Sequence, residues 1–296
     1  MTSERSTVLV VGATGLLGSE ICSLLQQQGQ DVRALVRPTS APDKIERLKD
    51  IDAKTVLGDL KDQASLDAAC EGIATVISTA SSTLNRQPGD DIESVDRNGQ
   101  INLINAAANA GVTHFILVSF PEMPEDFPLQ EAKRSAEKTL RESGMDFTIL
   151  HPTFFTEVWL SPALGFDAVT GSARIYGTGN QKISWISYKD VAKFAVAAVS
   201  NQSMLNRVIE LGGPAVLSPF EVITIFEKLT GKKIQVDIVP ESILRQQKSD
   251  ASDPLQKSFA GLMLGYAAGQ EIDMDSTLRS IPMDLSSVED YAQSFV

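Results

Sequence analysis

The stretch STVLVVGATGLLGSEI, residues 6–21, decides the fold of this chain. It contains a run of valine and leucine, residues 8–11, that is typical of a strand buried on both faces. Leucine and isoleucine then recur at helical spacing, and between the two patterns Gly12, Gly15 and Gly18 follow the spacing G-x-x-G-x-x-G. A strand, a glycine turn and a helix in this order predict a dinucleotide-binding turn, in which backbone N–H groups and the positive end of the helix dipole face a pyrophosphate.

The second predicted strand, residues 31–36, indicates which dinucleotide would bind. An NAD enzyme places an acid at the end of this strand, where it holds the ribose 2′-hydroxyl. Asp31 lies at the opposite end, and Arg37 stands where the acid is expected. A guanidinium at this place suits a 2′-phosphate, so the sequence favours NADP(H) over NAD(H). The alternative is a solvated arginine at the edge of a strand.

Composition excludes several classes of protein. A chain of 296 residues can bury a full core, and its net charge of −12 argues against a nucleic-acid-binding surface. No stretch approaches the length and apolarity of a membrane span. Cys22 and Cys70 fall in apolar helical patterns typical of reduced core thiols, and no spacing of histidine and cysteine predicts a metal site. We therefore expect a cytoplasmic protein that takes a small-molecule substrate, with a homo-oligomer left open.

Strands and helices alternate along the first half of the chain. Further strands are predicted at residues 53–60, 75–80, 114–120 and 147–152, and helices at residues 61–70, 95–110 and 130–143. This order is typical of a doubly wound parallel α/β sheet, the Rossmann arrangement, in which ligands lie over the carboxyl ends of the strands. The residues expected to bind the cofactor at this edge and in the glycine turn are Gly12, Thr14, Gly15, Leu16, Leu17, Gly18, Arg37, Asp59, Leu60, Thr79, Ala80 and Pro152.

The pattern is looser after residue 153. We expect a dinucleotide-binding domain over residues 1–153 and a small, interleaved α/β substrate domain over residues 154–296, of which residues 183–213 return to the main sheet. Irregular structure is expected over residues 153–182, and the second domain would form one wall of a cleft. The aromatic residues expected near that cleft favour an apolar or aromatic substrate, and they are Phe154, Phe155, Trp159 and Tyr176.

The motifs G-A-T-G-L-L-G, A-L-V-R, G-D-L, H-F-I-L-V-S, A-K-R-S-A-E-K-T-L and I-S-Y-K-D-V-A occur in this order between residues 12 and 192. Together they resemble the NmrA-like branch of the atypical short-chain dehydrogenase/reductases. The resemblance implies a Rossmann domain, a nicotinamide dinucleotide and a small C-terminal substrate domain. It implies either a reductase or a non-catalytic NADP(H) sensor or assembly factor that acts through protein partners.

The resemblance also bears on catalysis. Most short-chain dehydrogenases use a serine, a tyrosine, and a lysine four residues after the tyrosine. Ser119 matches the serine and Lys133 matches the lysine, which also holds the nicotinamide ribose in the family. Leu129 stands in the place of the tyrosine and has no proton to give. We therefore assign Ser119 and Lys133 as the catalytic candidates, and we place Lys133 in the cofactor-binding set as well.

Three interpretations of this site remain open. Lys133 could transfer the proton itself, as is thought for isoflavone-reductase-like relatives. It could only anchor the cofactor, in which case the candidates for the proton are His151, Tyr176 and Glu157. The third interpretation is a protein without catalysis. We favour an NADP(H)-dependent oxidoreductase that reduces a carbonyl or an activated double bond.

Each candidate also has a purely structural explanation. Lys133 could be a helix-surface cation paired with Glu137 at i+4, and Ser119 could satisfy backbone groups in a loop. His151 could be a partly buried imidazole at the end of a strand. The proline-rich and acidic segment FPEMPEDFP, residues 120–128, could be a mobile flap or a rigid surface loop.

Overall fold

In a computed structural model, which describes residues 7–84 and 86–296, the predicted parallel sheet is present and has seven strands. They are β1 Thr7–Val11, β2 Asp31–Val36, β3 Lys54–Leu57, β4 Thr75–Ser78, β5 His114–Val118, β6 Asp146–Pro152 and β9 Arg207–Leu211. Their order across the sheet is β3-β2-β1-β4-β5-β6-β9. The pairs from β3 through β6 are parallel, so the prediction of a doubly wound α/β fold is confirmed.

Helices connect the strands of this sheet. They are α1 Leu16–Gln27, α2 Pro42–Asp50, α3 Gln63–Cys70, α4 Asn98–Asn109, α5 Pro128–Glu142 and α7 Tyr188–Ala198. A π-helical turn, Ile92–Arg97, leads into α4. Helix α2 was not predicted, because its sequence PDKIERLKD is mostly charged and buries only Leu48.

The third strand is shorter than predicted. The sequence suggests a strand over residues 53–60, but β3 ends at Leu57, which is exposed at the edge of the sheet. Beyond it the Gly58 amide still donates to the Val36 carbonyl, and the Asp62 amide donates to the Asp59 carbonyl in a turn. Asp59 and Leu60 therefore lie in a loop at the carboxyl end of the strand.

Apolar side chains explain why the first strand is central. Val8, Leu9, Val10 and Val11 are all buried, as expected for a strand covered on both faces. Cys22 and Cys70 are buried free cysteines on α1 and α3. Burial raises the pKa of the Cys22 thiol to about 12 and that of the Cys70 thiol to about 11. Both thiols are therefore protonated at neutral pH.

A second sheet has three strands in the order β10-β8-β7. They are β7 Phe166–Asp167, β8 Ser172–Tyr176 and β10 Gln235–Val239, with β8 parallel to β10 and antiparallel to β7. The region of residues 153–182 is thus less irregular than expected. The remaining helices are α6 Thr156–Trp159, α8 Pro219–Thr230, α9 Glu241–Asp250, α10 Pro254–Ala268, α11 Asp275–Ser280 and α12 Val288–Gln293.

The chain divides into two compact units that share several elements. One unit comprises the described residues up to Ser119, with Glu131–Leu150 and Val191–Ile209. The other comprises Phe120–Gln130, His151–Asp190 and Glu210–Val296. Strand β9, in the range predicted to return to the main sheet, lies next to β6. We call the first the nucleotide unit, for the function expected of its glycine turn. We call the second the C-terminal unit, because most of it follows residue 150.

None of the described helices is long and apolar enough to cross a membrane.

Candidate functional site

The glycine turn is closed by contacts that leave no space for side chains at two of its three glycines. Gly12 has φ of +85°, a conformation that L-residues with a Cβ rarely adopt. A Cβ there would lie 2.6 Å from Thr79 Oγ1 and 2.9 Å from the Ala80 amide nitrogen. A Cβ on Gly18 would lie 2.2 Å from the Gly12 carbonyl oxygen. The sequence prediction that the third glycine lets the helix pack close to the strand agrees with this contact.

Gly15 differs from the other two glycines. It is the N-cap of α1 with extended backbone, and its amide donates a 2.9 Å hydrogen bond to the Gly12 carbonyl. A Cβ at Gly15 would meet only that carbonyl oxygen, at 3.2 Å. No side chain caps the helix, and no acid lies in its first turn. An uncapped helix N-terminus behind a glycine cradle fits the pyrophosphate of a dinucleotide.

The other predicted residues of the turn differ in exposure. Leu16 is exposed and Thr14 is half-buried, whereas Leu17 is buried under the helix. Thr14 and Leu16 are therefore accessible to a ligand, and Leu17 is a core residue that supports the turn.

Thr79 and Ala80 follow β4 and lie against the glycine turn. The Thr79 amide donates to the Val11 carbonyl at 2.9 Å, which extends the pairing of β4 with β1. Behind them the buried Gln100 donates to the Ala80 carbonyl and accepts a hydrogen bond from the Ser78 hydroxyl. The structure thus brings Thr79 and Ala80 together with Gly12, as the rule for carboxyl ends of parallel strands predicts.

Arg37 follows β2 and forms an ion pair that the sequence did not predict. Its Nη1 donates to Asp90 Oδ2 at 2.5 Å, and Lys61 Nζ donates to Asp90 Oδ1 at 2.5 Å. Burial raises the pKa of Asp90, but hydrogen bonds from Lys61, the Gln87 amide and Arg37 outweigh burial and lower the pKa below its usual value. Asp90 is therefore ionised at neutral pH. The alternative of a solvated Arg37 does not hold, because the guanidinium has this partner.

Asp59 and Leu60 contribute to the same edge of the sheet. The Asp59 amide donates to the Ser65 hydroxyl, and Asp59 Oδ1 accepts from the Lys61 amide at 2.9 Å. Leu60 is buried, and its carbonyl accepts from Asn102 Nδ2. These bonds shape the loop after β3 and orient Lys61 within it.

Lys133 lies on α5 and is only 5% exposed. Its Nζ lies 3.8 Å from Oδ1 of Asp96, a fully buried residue in the π-helical turn. Oδ2 of Asp96 accepts from the Ser82 amide at 3.0 Å and from its hydroxyl at 2.6 Å. Within residues 7–84 and 86–296, Asp96 Oδ1 has no hydrogen-bond partner. The alternative of a surface cation paired with Glu137 is therefore wrong, because Lys133 is buried against a different carboxylate.

Ser119 follows β5, and its hydroxyl donates to Glu137 Oε1 at 2.7 Å. Glu137 is a buried carboxylate on α5 that also pairs with Arg134 and, at 3.2 Å, with Arg141. The Ser119 amide donates to the Leu150 carbonyl. The alternative in which this hydroxyl serves a backbone group is thus wrong, because its partner is a carboxylate.

The position expected for the tyrosine is apolar and buried. Leu129 is buried in the C-terminal unit, and its amide donates to the Ser258 hydroxyl. The segment of residues 120–128 is also packed, since Met123 and Phe127 are buried against Gly265 and Gly261 of α10. Of the two expectations for this segment, the structure favours a rigid loop over a mobile flap.

The other proton candidates, His151, Tyr176 and Glu157, all lie in the C-terminal unit. Glu157 accepts hydrogen bonds from the Ser187 hydroxyl and the Tyr188 amide, at the start of α7. The Tyr176 hydroxyl donates to the Leu164 carbonyl, and burial raises its pKa. His151 is buried in β6, and Pro152 ends the same strand.

Three of the four aromatic residues expected near the cleft, Phe154, Trp159 and Tyr176, form part of a packed cluster. Trp159 stacks on Tyr266 at 5.4 Å between ring centroids, and the Phe154 and Tyr176 rings lie edge-on to the same Tyr266. Trp185 completes the cluster. Phe154 and Tyr176 are buried by these contacts, and Trp159 is half-buried.

A pocket of about 390 Å³ is lined within the C-terminal unit by Glu122, Met123, Pro124, Gly265, Gly269 and Gln270. Gln270 Nε2 donates to the Glu122 carbonyl, while its buried Oε1 has no hydrogen-bond partner in the described chain. Glu122, Met123 and Pro124 belong to the segment of residues 120–128 considered above, whereas Gly265, Gly269 and Gln270 carried no sequence signal for a site.

The sequence also did not predict four charged partners in the candidate site. They are Lys61, Asp90 and Asp96, together with Glu137 in its role as the partner of Ser119. Asp96 and Glu137 carried no distinct signal, since each lies among charged and polar residues of a helical segment. Asp90 and Lys61 lie in loops, where charged residues are ordinary.

The model of the NmrA-like family matches residues 4–292. The chain is 30% identical, over 97% of its length and 90% of the relative's, to the photosystem II assembly factor Ycf39 of Synechocystis sp.. It is 27% identical, over the whole length of both proteins, to the isoflavone reductase homolog IRL of Zea mays. In fold it is similar to the binary complex of leucoanthocyanidin reductase with NADPH from Vitis vinifera, with a TM-score of 0.80 and 21% identity over 98% of this chain and 99% of that one.

Proposed function

This chain belongs to the NmrA-like family, and we propose that it is an NADP(H)-dependent oxidoreductase which reduces a carbonyl or an activated double bond of a small, apolar or aromatic molecule. The observation that carries the proposal is the burial of Lys133 beside Asp96. Burying an ammonium and a carboxylate costs free energy. Hydrophobic side chains of similar volume would fill the same space with equal or greater stability. A buried lysine at the place of the family's lysine supports a functional role.

The residues that would hold the dinucleotide follow from the geometry of the nucleotide unit. The uncapped N-terminus of α1 and the Gly15 backbone would face the pyrophosphate, since a Cβ at Gly15 would meet only one carbonyl oxygen whereas Gly12 and Gly18 are tightly packed. Arg37 would contact the 2′-phosphate and Lys133 the nicotinamide ribose. When bound, NADPH would supply a hydride.

In this proposal Lys133 Nζ gives a proton to the substrate atom on which negative charge develops. Asp96 positions the ammonium through the oxygen that has no hydrogen-bond donor in the described chain. The Ser82 amide and hydroxyl fix the other oxygen of this carboxylate, so the carboxylate cannot rotate away.

Ser119 orients the substrate oxygen. Its hydroxyl donates to Glu137, so it can donate to a substrate only by leaving that carboxylate. Arg134 and Arg141 remain with Glu137 when the hydroxyl turns, so the buried carboxylate keeps its partners. The exchange of one hydrogen bond for another costs about 1 kcal/mol or less.

A second candidate function is a dinucleotide-binding sensor or assembly factor that acts through protein partners. The similarity to an assembly factor over nearly the whole of both chains favours it, as does an apolar residue, Leu129, at the place of the usual tyrosine. In this case the nucleotide unit would bind NADP(H) without turnover.

Purified wild-type protein distinguishes the two functions. NADPH binding is measured by calorimetry, and NADPH consumption is followed with a panel of ketones, enones and quinones. Consumption above the background of protein-free controls, abolished in the binding-deficient variant Gly15→Val, supports the reductase. Tight binding with no consumption across the panel supports the sensor, and absence of binding contradicts both.

A further inference from the structure

Asp90 is held as though it were a bound anion. Its side chain is only 2% exposed, yet it lies in a loop. Arg37 and Lys61 each approach one of its carboxylate oxygens at 2.5 Å, and the Gln87 amide donates to Oδ2 at 2.9 Å. Two cations and an amide around one anion are the donor set that proteins use for phosphate groups.

The residues next to Asp90 are held to the same edge of the sheet. Gln87 Nε2 donates to the Thr39 carbonyl at 3.0 Å, and the Thr39 hydroxyl bonds to Gln87 Oε1. Lys61 Nζ also reaches the Gly89 carbonyl at 3.5 Å. We call residues 87–90 the strap, since their contacts join the loop after β2 to the loop after β3.

The strap lies where a nucleotide is expected. In a doubly wound sheet the adenosine ribose of a dinucleotide held by the first glycine turn lies over the end of the second strand. Arg37 is the first residue after β2, and Lys61 lies in the loop after β3, the neighbouring strand. The Asp90 carboxylate thus lies between two cations at the edge of the sheet where the 2′-substituent is expected.

Charge decides whether Asp90 and a 2′-phosphate can share this place. Arg37 and Lys61 with Asp90 between them carry a formal charge of only +1. A phosphate monoester carries about −1.5 to −2 at neutral pH, so adding it beside an ionised Asp90 leaves excess negative charge around two cations. If Asp90 leaves, the two cations balance the phosphate.

We propose, on the basis of the proposed dinucleotide function, that Asp90 is an internal competitor of the 2′-phosphate. NADP(H) binds when the strap releases Arg37 and Lys61, and Lys61 then becomes the second cation on the phosphate. A nucleotide without a 2′-phosphate binds without this exchange. The strap therefore lowers the affinity for NADP(H) in particular and sets the selectivity between the two dinucleotides.

Calorimetric titration with 2′,5′-ADP and with 5′-ADP tests the proposal, because the two probes differ only in the 2′-phosphate. The variants are Asp90→Asn, which keeps the size of the side chain, and Lys61→Met. The matched control is Asp91→Asn, which removes the same charge at the next residue, where the exposed carboxylate caps the π-helical turn through Ser94.

We expect Asp90→Asn to bind 2′,5′-ADP about 10-fold more tightly than wild type, the scale of one charge-assisted hydrogen bond, with 5′-ADP affinity changed by less than about twofold. Lys61→Met should bind 2′,5′-ADP about 10-fold more weakly and leave 5′-ADP unchanged. Asp91→Asn should leave both affinities within about twofold of wild type. Circular dichroism of each variant verifies that it is folded.

Other outcomes separate the failure of this proposal from failure of the function on which it rests. Unchanged or weaker 2′,5′-ADP binding in Asp90→Asn overturns the proposal that Asp90 competes with the 2′-phosphate. Weaker 5′-ADP binding in that variant assigns Asp90 to the ribose hydroxyl instead. Unchanged 2′,5′-ADP binding in Lys61→Met overturns the role of Lys61. If wild type and all variants bind neither probe, the dinucleotide function itself fails.

Discussion

Glu137 accepts the hydroxyl hydrogen of Ser119 at 2.7 Å and lies one helical turn after Lys133 on the same helix. Successive turns of α5 thus serve two different parts of the site, since Lys133 meets Asp96 while Glu137 meets Ser119. Residues four apart on a helix share a face, so the two pairs are linked through the backbone of one rigid element.

The first prediction concerns Glu137. Glu137→Gln should lower the free energy of unfolding by about 1–3 kcal/mol, because a buried carboxylate with charged partners is replaced by a neutral amide. Urea denaturation followed by circular dichroism measures the change. Glu142→Gln, at an exposed position of the same helix, should change it by less than about 0.5 kcal/mol. Equal effects of the two substitutions would show that burial of Glu137 does not matter.

The second prediction concerns Lys133. If it donates the proton, Lys133→Met should lower turnover by about 10²–10⁴-fold while NADPH affinity falls only modestly. Steady-state kinetics and calorimetry measure the two quantities separately. The control Lys138→Met alters a lysine of the same helix whose side chain is 75% exposed, and it should leave both quantities unchanged. Parallel loss of affinity and turnover, with the shape of the pH profile kept, would assign Lys133 as an anchor only.

The third prediction concerns Arg37. Arg37→Ala should weaken NADPH binding by about 1.5–3 kcal/mol, since a charge-assisted hydrogen bond to the 2′-phosphate is lost, and should barely affect NADH. Titration of both nucleotides measures this difference. Arg47→Ala removes the same charge from an exposed position of α2 and serves as the control. Wild-type affinity for NADH equal to or above that for NADPH would contradict the assignment.

The fourth prediction contrasts two glycines of the same turn. Gly15→Val should abolish nucleotide binding and keep the fold, because its Cβ would meet only one carbonyl oxygen, at 3.2 Å, while a branched side chain would occupy the place expected for the phosphates. Gly18→Ala should destabilise the fold by about 1–3 kcal/mol, because its Cβ would lie 2.2 Å from that oxygen. Calorimetry and thermal unfolding separate the two effects. Normal binding by Gly15→Val would show that the pyrophosphate lies elsewhere.

The fifth prediction concerns the cysteines. Burial raises the pKa of the Cys22 thiol to about 12 and that of Cys70 to about 11, so both are protonated at pH 8, and only the thiolate reacts quickly with disulfide reagents. The folded protein should therefore show almost no reaction with an aromatic disulfide at pH 8, and the protein unfolded in urea should react at both Cys22 and Cys70. Rapid reaction of either thiol in the folded state would mean that its helix opens readily.

The main sheet and the glycine turn could be predicted from the sequence because their signals are local. Residues 8–11 form one uninterrupted apolar run, and the spacing of Gly12, Gly15 and Gly18 is read within seven positions. Helix α2 was missed because charged residues cover most of its surface and only Leu48 is buried. The strand predicted at residues 53–60 was too long because the chain turns at Asp59, although Gly58 is still bonded to β2 and Leu60 is buried.

The partners within the candidate site could not be predicted because they lie far apart in the sequence. Arg37 suggested a cation for a 2′-phosphate, and nothing near it in the sequence indicates Asp90. Lys133 has an acid at i+4, which made Glu137 the obvious partner, whereas the fold brings Asp96 to the lysine instead. Which distant side chains meet depends on the order of the strands in the sheet, and no local sequence pattern specifies that order.

Each of the two units is built from separate segments of the chain. This has a consequence for synthesis on the ribosome. Strand β9 joins the main sheet beside β6, yet the chain makes most of another sheet between the two. The sheet therefore cannot gain its last strand until Arg207–Leu211 has left the exit tunnel. Until then the free edge of β6 is exposed in the nascent protein and is able to pair with other chains, which makes it a natural place for a chaperone to bind.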